Sequence, residues 1–384
     1  MLIDTNNPNK PRRASEFAEH EIDFDRFPPA NDGEIGTFSY PFDSDAVSLW
    51  REWVQRDGQV SHGMDPDFLL PFLNAEKTSK DALLIMQLHN SRCELAVVVV
   101  PVSSRPWSRQ SWRMFTHQHI DVYGFLEEGN GQTYDRVFDL VREGLSNEGI
   151  KLSRLSFVKV QGLQSGERNF SEKYTRFNAY FELAGPAAYT VPGKLNRNIK
   201  RYGKKLADCY GKLTLKVEPS RADNMKTFFD VEASGWKDRE NTAIRTDERL
   251  CHAYLTAARE DDANCRAHVF TLWAGHEAVS SAYGLVYENH ISLLKIGFDE
   301  RFAPYSPGSL LISEVFQHAR SVGMTRVYFS TYPDWAKRWK PALRKKMDVL
   351  IFSDDKIGRY RYLFDRFIVN AKQSIRRNSG LGRS

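Results

Sequence analysis

The stretch that decides the fold is Tyr305-Ser306-Pro307-Gly308-Ser309-Leu310-Leu311. A strand-like run, 291–298, precedes it and a helical run, 310–320, follows it. Ser306 is a good N-cap and Pro307 a good first residue of a helix, while Gly308 has no side chain to block an approaching ligand. The first turn of such a helix directs unpaired N–H groups and a partial positive charge outward, which suits a pyrophosphate. The alternative interpretation is an ordinary strand-to-helix turn.

The composition is that of a globular protein with room for two or three domains in its 384 residues. Hydrophobic residues make up 41% and aromatic residues 12%. No apolar run approaches the roughly 20 residues of a membrane span, and the N-terminus lacks the apolar core of a secretory signal, so the sequence predicts a cytoplasmic protein. The four cysteines are far apart without a CxxC pair, which favours reduced thiols over a disulfide frame or a zinc site.

The positive charge is uneven. Net charge is +5, and the segment 194–205 carries six basic residues and no acid. The tail 356–384 carries eight basic residues against one acid, Asp365. Both segments are expected to meet phosphates or an anionic surface.

One order of elements occurs twice, each time in roughly 150 residues. It reads helix, hairpin, strand, helix, strand. The first copy has these elements at 46–54, 82–88, 94–102, 114–122, 134–145 and 152–160, and the second at 224–235, 268–273, 278–287, 291–298, 310–320 and 325–331. The sequence therefore predicts an α/β (α+β) protein of two tandem units, each a mixed, mostly antiparallel sheet flanked by helices.

The predicted boundaries follow from this repeat. Residues 1–33 are polar and Pro-containing and are expected to form a disordered arm. The first unit is 34–185, and the second is 186–350, opening with a basic linking helix at 186–210. Residues 351–384 form a basic amphipathic helix. Its apolar face is expected to cap the second unit; docking on an anionic membrane at the inner face is the alternative.

Motifs in the second unit resemble those of tandem GNAT acyltransferases of the FemAB-like and CelD-like type, and the resemblance covers about 40–380. The matching residues are Gly235-Trp236-Lys237 with Asn241-Thr242-Ala243-Ile244, Lys295 with Asp299-Glu300 and Tyr305-Ser306-Pro307-Gly308, and Asp334, Lys337 and Trp339. The resemblance implies an acyl-CoA (acetyl-CoA) co-substrate and no tightly bound cofactor. It implies as acceptor a sugar, an amino-sugar, or a cell-envelope or exopolysaccharide precursor.

Two alternatives to an acyl-CoA-dependent transferase stay open. One is a FemAB-type transferase that uses aminoacyl-tRNA, which the basic segments would suit. The other is a non-catalytic binding protein on the same fold, because Ala303 and Ser306 stand where GNAT phosphate loops commonly have Gln or Arg and the first Gly.

The candidate site residues fall into three groups. The catalytic candidates lie before the phosphate loop or after the last strand of the repeat: Asp299, Glu300, Tyr332 and Asp334. The donor site is Tyr305, Ser306, Pro307, Gly308, Ser309 and Leu310. The substrate-binding candidates, which rest largely on the resemblance, are Asp121, Trp236, Lys237, Lys295 and Lys337.

Strand alternation supplies two further expectations. Lys295 is expected to share a strand face with Ile291, Leu293, Gly297 and Asp299. His117, His119 and Asp121 are expected to alternate onto one face of another strand, where they are metal ligands in principle, although no further ligand cluster supports a metal. In the first copy Glu127 and Glu128 occupy the place of the phosphate loop and would repel a pyrophosphate, so only the second copy is expected to bind the donor.

Overall fold

The computed structural model describes residues 34–57, 62–76, 79–102, 110–117, 119–120, 131–161, 170–234, 240, 242–257, 266–287, 289–330 and 332–378. Twelve strands in these residues form one continuous sheet. In chain order the strands are β1 Glu34–Ser39, β2 Leu83–His89, β3 Arg92–Pro101, β4 Ser111–Met114, β5 Arg154–Gln161, β6 Phe170–Glu182, β7 Leu213–Pro219, β8 Ala267–Ala274, β9 Glu277–Val286, β10 His290–Phe298, β11 Arg326–Phe329 and β12 Ala342–Phe352.

Eight α-helices flank this sheet in the described residues. They are α1 Ser44–Asp57, α2 Pro66–Ala75, α3 Gly131–Asn147, α4 Gly193–Tyr210, α5 Ala222–Ala233, α6 Glu248–Thr256, α7 Pro307–Ser321 and α8 Lys356–Asn378. Apolar residues at helix spacing explain the longer ones. In α1 they are Trp50 and Trp53, both fully buried, and in α4 they are Leu195, Ile199 and Leu206.

The sheet order confirms the repeat. It runs β1-β2-β3-β4-β5-β12-β6-β11-β10-β9-β8-β7 and reads the same way from both edges. In each half, two α-helices separate the first two strands among the described residues, an antiparallel hairpin follows, and a helix joins a parallel pair, β4–β5 or β10–β11. The chain is thus an α/β protein of two equivalent halves with mixed, mostly antiparallel strands.

The sixth strand of each copy is exchanged. β6 pairs with β11 of the second half, whereas β12 pairs with β5 of the first half, and β6 and β12 pair with each other along the middle of the sheet. The cores follow the exchange: Val349 and Ile351 of β12 lie in the first core, and Ala179 and Phe181 of β6 lie in the second. The predicted boundary between residues 185 and 186 therefore lies after β6, a strand that pairs with the second half.

A third core joins the halves. Phe68 and Phe72 of α2 pack with Tyr254 of α6 and Phe228 of α5. At its edge the Arg266 guanidinium lies 2.5 Å from the Asp65 carboxylate, which also caps α2. Burial of these aromatic side chains supplies the main free-energy gain at the contact, because each removes a large apolar area from water.

Several elements differ from their sequence predictions. Four strands, β1, β6, β7 and β12, and two helices, α2 and α6, were not predicted from the sequence. The strand predicted at 114–122 is observed as Ser111–Met114, and the remaining predicted strands and helices are found within a few residues of their expected ends.

The expectation that the apolar face of the C-terminal helix is buried on the second unit is wrong, because α8 lies against β12 with that face exposed. No helix in the described part of the chain is long and apolar enough to cross a membrane.

Candidate functional site

The candidate site begins where two parallel strands separate. β10 and β11 pair only from His290 to Leu293, and β10 then continues to Phe298 while β11 ends at Phe329. From Ile296 to Phe298 the edge of β10 that faces away from β9 has no strand beside it among the described residues. Backbone N–H and C=O groups along such an edge pair readily with an extended ligand.

A bulge in β10 corrects the predicted strand faces. The register with β9 shifts between Leu293 and Lys295. Ile291, Leu293 and Ile296 all contact the second core, whereas Leu294 lies in the third core on the opposite side. The regular alternation predicted for Lys295 is therefore wrong, because the bulge inserts one residue and reverses the faces after it.

The turn before α7 has a left-handed residue at its centre. Ser306 adopts φ 52° and ψ 53°, and Pro307 is the first helical residue, as predicted. The predicted side-chain cap is wrong, since the Ser306 hydroxyl makes no capping hydrogen bond. Instead the Ser306 carbonyl accepts from the N–H groups of Ser309 (2.9 Å) and Leu310 (3.3 Å). The Ser280 hydroxyl donates to the Pro307 carbonyl and ties the turn to β9.

Gly308 leaves the N-terminal turn of α7 open. A Cβ placed on Gly308 would have no atom within 4 Å. Pro307 has no N–H, and the Gly308 N–H has no hydrogen-bond partner among the described residues. The open turn therefore offers a backbone donor and the positive end of the helix dipole to an anion.

Arg338 adds a positive charge to this turn. Its guanidinium donates to the Ser309 hydroxyl at 2.6 Å, from the short 3-10 helix Asp334–Trp339. The family loop commonly has Gln or Arg at the position that Ala303 holds here. Sequence analysis did not assign Arg338 to the site, because its partner lies 29 residues away along the chain.

The basic helix α4 runs beside α7. A Cβ on Gly203 would lie 3.4 Å from Leu310, so the two helices approach closely there. Tyr305 donates its hydroxyl to Cys209 at 3.7 Å and packs edge-on against Tyr210. The six basic side chains of α4 are exposed: Lys194, Arg197, Lys200, Arg201, Lys204 and Lys205.

The first catalytic candidate, Asp299, is engaged by its neighbours. Its carboxylate accepts from the backbone and side chain of Arg301, at 2.7–2.9 Å, and caps the 3-10 helix Glu300–Tyr305. Burial acts to raise the pKa of Asp299, but the hydrogen bonds and charge of Arg301 outweigh it and lower that pKa. Such a carboxylate is a weak base. The Glu300 N–H donates to Ser234, and its side chain is exposed.

The other candidates follow β11. Tyr332 is half-buried against the second core, close to the point where β10 and β11 separate. Asp334 and Lys337 are exposed and form an ion pair at 2.6 Å. This pairing lowers the pKa of Asp334 and raises that of Lys337. Asp299 directly follows the open edge of β10, and Tyr332 comes three residues after the end of β11.

A buried polar group lies on the other side of β10. Glu232 of α5 is 3% exposed and accepts from the Ile244 N–H at 3.1 Å. Its Cα lies 2.7 Å from where a Cβ on Gly297 would be, so only glycine allows this approach. Sequence analysis missed Glu232, although a signal was present: it shares the apolar helix stripe of Met225 and Phe228.

Two histidines of the first half reach this region. His119 Nδ1 lies 2.8 Å from the hydroxyl of Tyr254, and His117 Nε2 lies 3.5 Å from Glu76. The predicted common strand face is wrong, because β4 ends at Met114 and the chain turns at His117, whose Nδ1 accepts from the His119 N–H. Burial, then Tyr283 and Glu232, raise the pKa of Tyr254, so its hydroxyl stays protonated.

Some predicted residues lie outside the described part of the chain. They are Asp121, Glu127, Glu128, Trp236 and Lys237. Among the described residues, no group of three or more His, Cys, Asp or Glu side chains is placed to hold a metal ion.

Comparison with known proteins identifies the fold of this site. Residues 193–340 match the family described as an acetyltransferase (GNAT) domain. The crystal structure of FemX aligns with a TM-score of 0.54 and 11% identity over 82% of this chain and 98% of that chain. L-PGS from Bacillus licheniformis aligns with a TM-score of 0.48 and 13% identity over 84% and 96%. The family match shows a GNAT domain over residues 193–340, and the likeness to FemX shows a shared fold over most of the chain. No curated protein matches the chain significantly.

Proposed function

We propose that the protein is a GNAT-type acyltransferase that binds an acyl-CoA, with acetyl-CoA as the expected donor, in its second half. The observation that carries the proposal is the open first turn of α7 at Gly308, beside the opening between β10 and β11. A pyrophosphate at this turn would meet the Gly308 N–H, the helix dipole and the Arg338 guanidinium. The extended arm of the donor would then lie along the open edge of β10.

The chemistry needs few protein groups. An amine or hydroxyl of the acceptor attacks the thioester carbon, and the C–S bond breaks as the tetrahedral intermediate collapses. Backbone N–H groups at the β10 edge would stabilise the oxyanion. We assign protonation of the leaving thiolate to Tyr332, which follows β11 at the opening. Asp334 is the other candidate for this proton donor, and Asp299 and Glu300 are the candidates for accepting the proton of the attacking group. Arg301 and Lys337 already pair with Asp299 and Asp334.

The acceptor is proposed to approach from the side of β10 opposite α7. Polar groups from both halves lie on that side: Glu232 and Tyr254, which are buried, and His119, which is partly buried. Lys295, in the bulge, and Lys337 are the described members of the predicted substrate set. Asp121, Trp236 and Lys237 remain assigned to it through the sequence motifs. The same motifs favour a sugar, an amino-sugar or an envelope or exopolysaccharide precursor of the CelD-like class.

A second candidate is FemAB-type transfer from aminoacyl-tRNA. The observation that favours it is the row of exposed basic side chains on α4, which runs beside the proposed donor turn. Such a row suits an RNA backbone, because binding of a phosphate chain grows with the number of cations that meet it.

Titration of the purified protein with acetyl-CoA by calorimetry tests the donor, with charged tRNA retention on filters measured in parallel. Saturable acetyl-CoA binding without tRNA retention at low salt supports the acyl-CoA donor. Retention of charged tRNA without acetyl-CoA binding supports the FemAB-type donor. Binding of neither, with no acyl-CoA hydrolysis or transfer, would leave a non-catalytic protein on a GNAT fold and contradict the proposal.

The chemical step has its own test. In Tyr332→Phe, turnover is expected to fall about 100-fold while acetyl-CoA affinity is retained, because the ring still packs on the second core. Unchanged turnover in a folded variant would remove Tyr332 from the mechanism.

A further inference from the structure

The C-terminal helix α8 is attached to the protein through its polar side. Gly358 lies so close to the Ser353 carbonyl that an added Cβ would clash with it. Arg361 donates to the Ser111 hydroxyl at 2.6 Å, and the Tyr362 ring packs edge-on against Phe352. These positions recur at helix spacing and form one stripe facing β12. The polar stripe of α8 is therefore the buried one.

The apolar stripe of the same helix faces outward. Tyr360, Leu363 and Phe367 are 71%, 64% and 68% exposed. The full stripe, which we call the α8 apolar face, is Ile357, Tyr360, Leu363, Phe364, Phe367 and Ile368. Single exposed apolar residues are common, but a contiguous face of six large ones marks a binding surface.

The charge of α8 indicates what that surface meets. The helix carries seven basic residues and one acid, Asp365. Lys356, Arg359 and Arg366 are exposed along the margin of the apolar face. A helix with a bulky apolar face and basic margins lies flat in the interface of an anionic bilayer, with its apolar side chains among the acyl chains.

A cleft beside the helix is suited to a lipid headgroup. It has a volume of about 300 Å³, and its lining is Arg154, Phe352, Tyr360, Arg361, Phe364, Asp365 and Ile368. Arg154 Nε is buried and has no hydrogen-bond partner among the described residues. Arg154 and Arg361 line the same cleft, and burial, followed by the charge of Arg361, lowers the pKa of Arg154. Two arginines against one carboxylate favour an anion, and the aromatic walls favour an acyl chain next to it.

We propose that the α8 apolar face docks this protein onto an anionic phospholipid bilayer, with a headgroup phosphate held between Arg154 and Arg361. The docking depends on surfaces of α8, β5 and β12 and is independent of the donor turn at α7. It would bring the transferase to substrates that are themselves membrane-bound.

Co-sedimentation of the full chain with vesicles tests the proposal. Vesicles of phosphatidylcholine alone are compared with vesicles that also contain phosphatidylglycerol. The protein is expected to bind the mixed vesicles and to dissociate as salt is added, because basic residues contribute to the attraction. Absence of binding to the mixed vesicles, or equal binding to both kinds, would overturn the proposal.

Two variants separate the apolar and ionic contributions. Leu363→Ser/Phe367→Ser is expected to weaken binding to mixed vesicles at least about tenfold, and it should fold normally because both side chains are exposed. Arg154→Gln is expected to reduce the preference for phosphatidylglycerol, and an unchanged preference would exclude a headgroup phosphate at Arg154. The control is Val322→Ser, which removes an exposed apolar side chain at the end of α7 and should bind like the wild type.

The same double variant identifies other occupants of the face. If it converts a dimer into a monomer by light scattering, the face joins two copies of this chain and the bilayer proposal is wrong. If only a chain lacking residues 1–33 binds the vesicles, that segment covers the face, which also contradicts the proposal for the full chain. Inorganic phosphate that binds at Arg154 while mixed vesicles are not bound would indicate an anion site alone and overturn the docking.

Discussion

At Ser306 the backbone takes a conformation that L-residues rarely adopt. Ser306 is the single residue between the 3-10 helix Glu300–Tyr305 and the helix that begins at Pro307, and its φ is 52°. A non-glycine residue in this region costs about 1–2 kcal/mol. Glycine adopts positive φ without that cost.

Ser306→Gly is therefore expected to stabilise the protein by about 1 kcal/mol. Ser306→Ala should stay within about 0.5 kcal/mol of the wild type, because the hydroxyl makes no capping hydrogen bond. Urea unfolding midpoints measure both. A stability loss in Ser306→Ala well above that range would show that the hydroxyl caps α7 after all.

Arg338 is the residue whose role at the donor turn is most specific to this chain. Arg338→Gln is expected to weaken acetyl-CoA binding about tenfold, since it removes one charge-assisted contact at an exposed position. Arg249→Gln, which removes an exposed arginine of α6, is the control. Equal affinities of the two variants by calorimetry would argue against a phosphate beside Arg338.

Local rules predicted Pro307 and Gly308 but not Arg338 or Glu232. Helix-start preferences and the absence of a side chain depend on neighbouring residues, so the sequence shows them directly. The contact of Arg338 with Ser309 and that of Glu232 with Gly297 depend on how distant segments meet. The pattern of residues along the sequence does not show which distant segments come into contact.

Among the elements, α8 is fixed at its N-terminus by one carboxylate. Asp355 accepts from the Gly358 N–H at 2.7 Å and the Ser353 hydroxyl at 2.9 Å, and it pairs with Lys151 at 2.9 Å. The hydrogen bond from Gly358, followed by the contact with Lys151, lowers the pKa of Asp355 to about 2.

Asp355→Ala is expected to cost about 1 kcal/mol at neutral pH. The folded pKa lies below the unfolded value of 3.8, so this stabilisation is complete above pH 3.8 and is lost as the pH falls through about 2. Urea unfolding of wild type and variant should therefore converge near pH 2. Lys151→Ala, at an exposed position, should change stability by less than about 0.5 kcal/mol. A constant difference between wild type and Asp355→Ala across this pH range would contradict the account.

Periodicity predicted the elements with regular apolar spacing, including the hairpins and α7. It failed for β12, where Arg344, Lys345 and Lys346 interrupt the apolar pattern. Lys346 is nevertheless buried, and its ammonium donates to the Ser330 carbonyl. It also failed at the bulge of β10, because an inserted residue reverses the alternation without changing the composition.

For the whole molecule, the exchange of β6 and β12 decides which fragments are complete. The second half uses β6 and α4 with β7–β11, and Phe181 of β6 lies in its core. β12 belongs to the first core through Val349 and Ile351. The division predicted between residues 185 and 186 did not include this exchange. A sequence repeat shows that a unit occurs twice, but it does not show with which half each strand pairs.

A fragment of residues 170–341 is expected to unfold cooperatively, since it contains β6–β11 and the second core. A fragment of residues 186–350 lacks β6 and retains most of β12 without partners, so it should be expanded or aggregated. Urea unfolding followed by circular dichroism compares them. Equal cooperativity of the two fragments would show that β6 contributes little to the second half.

The proposed function depends on the donor binding at the N-terminal turn of α7. Calorimetry with acetyl-CoA tests this on three proteins: the wild type, Gly308→Glu and Ser321→Glu. Gly308→Glu places an anion at that turn, where the added Cβ has no atom within 4 Å. Ser321→Glu adds the same charge about 20 Å away at the other end of the helix. We expect acetyl-CoA to bind saturably to the wild type and to Ser321→Glu, and we expect this binding to be lost in a normally folded Gly308→Glu. Equal affinity for all three proteins would contradict it.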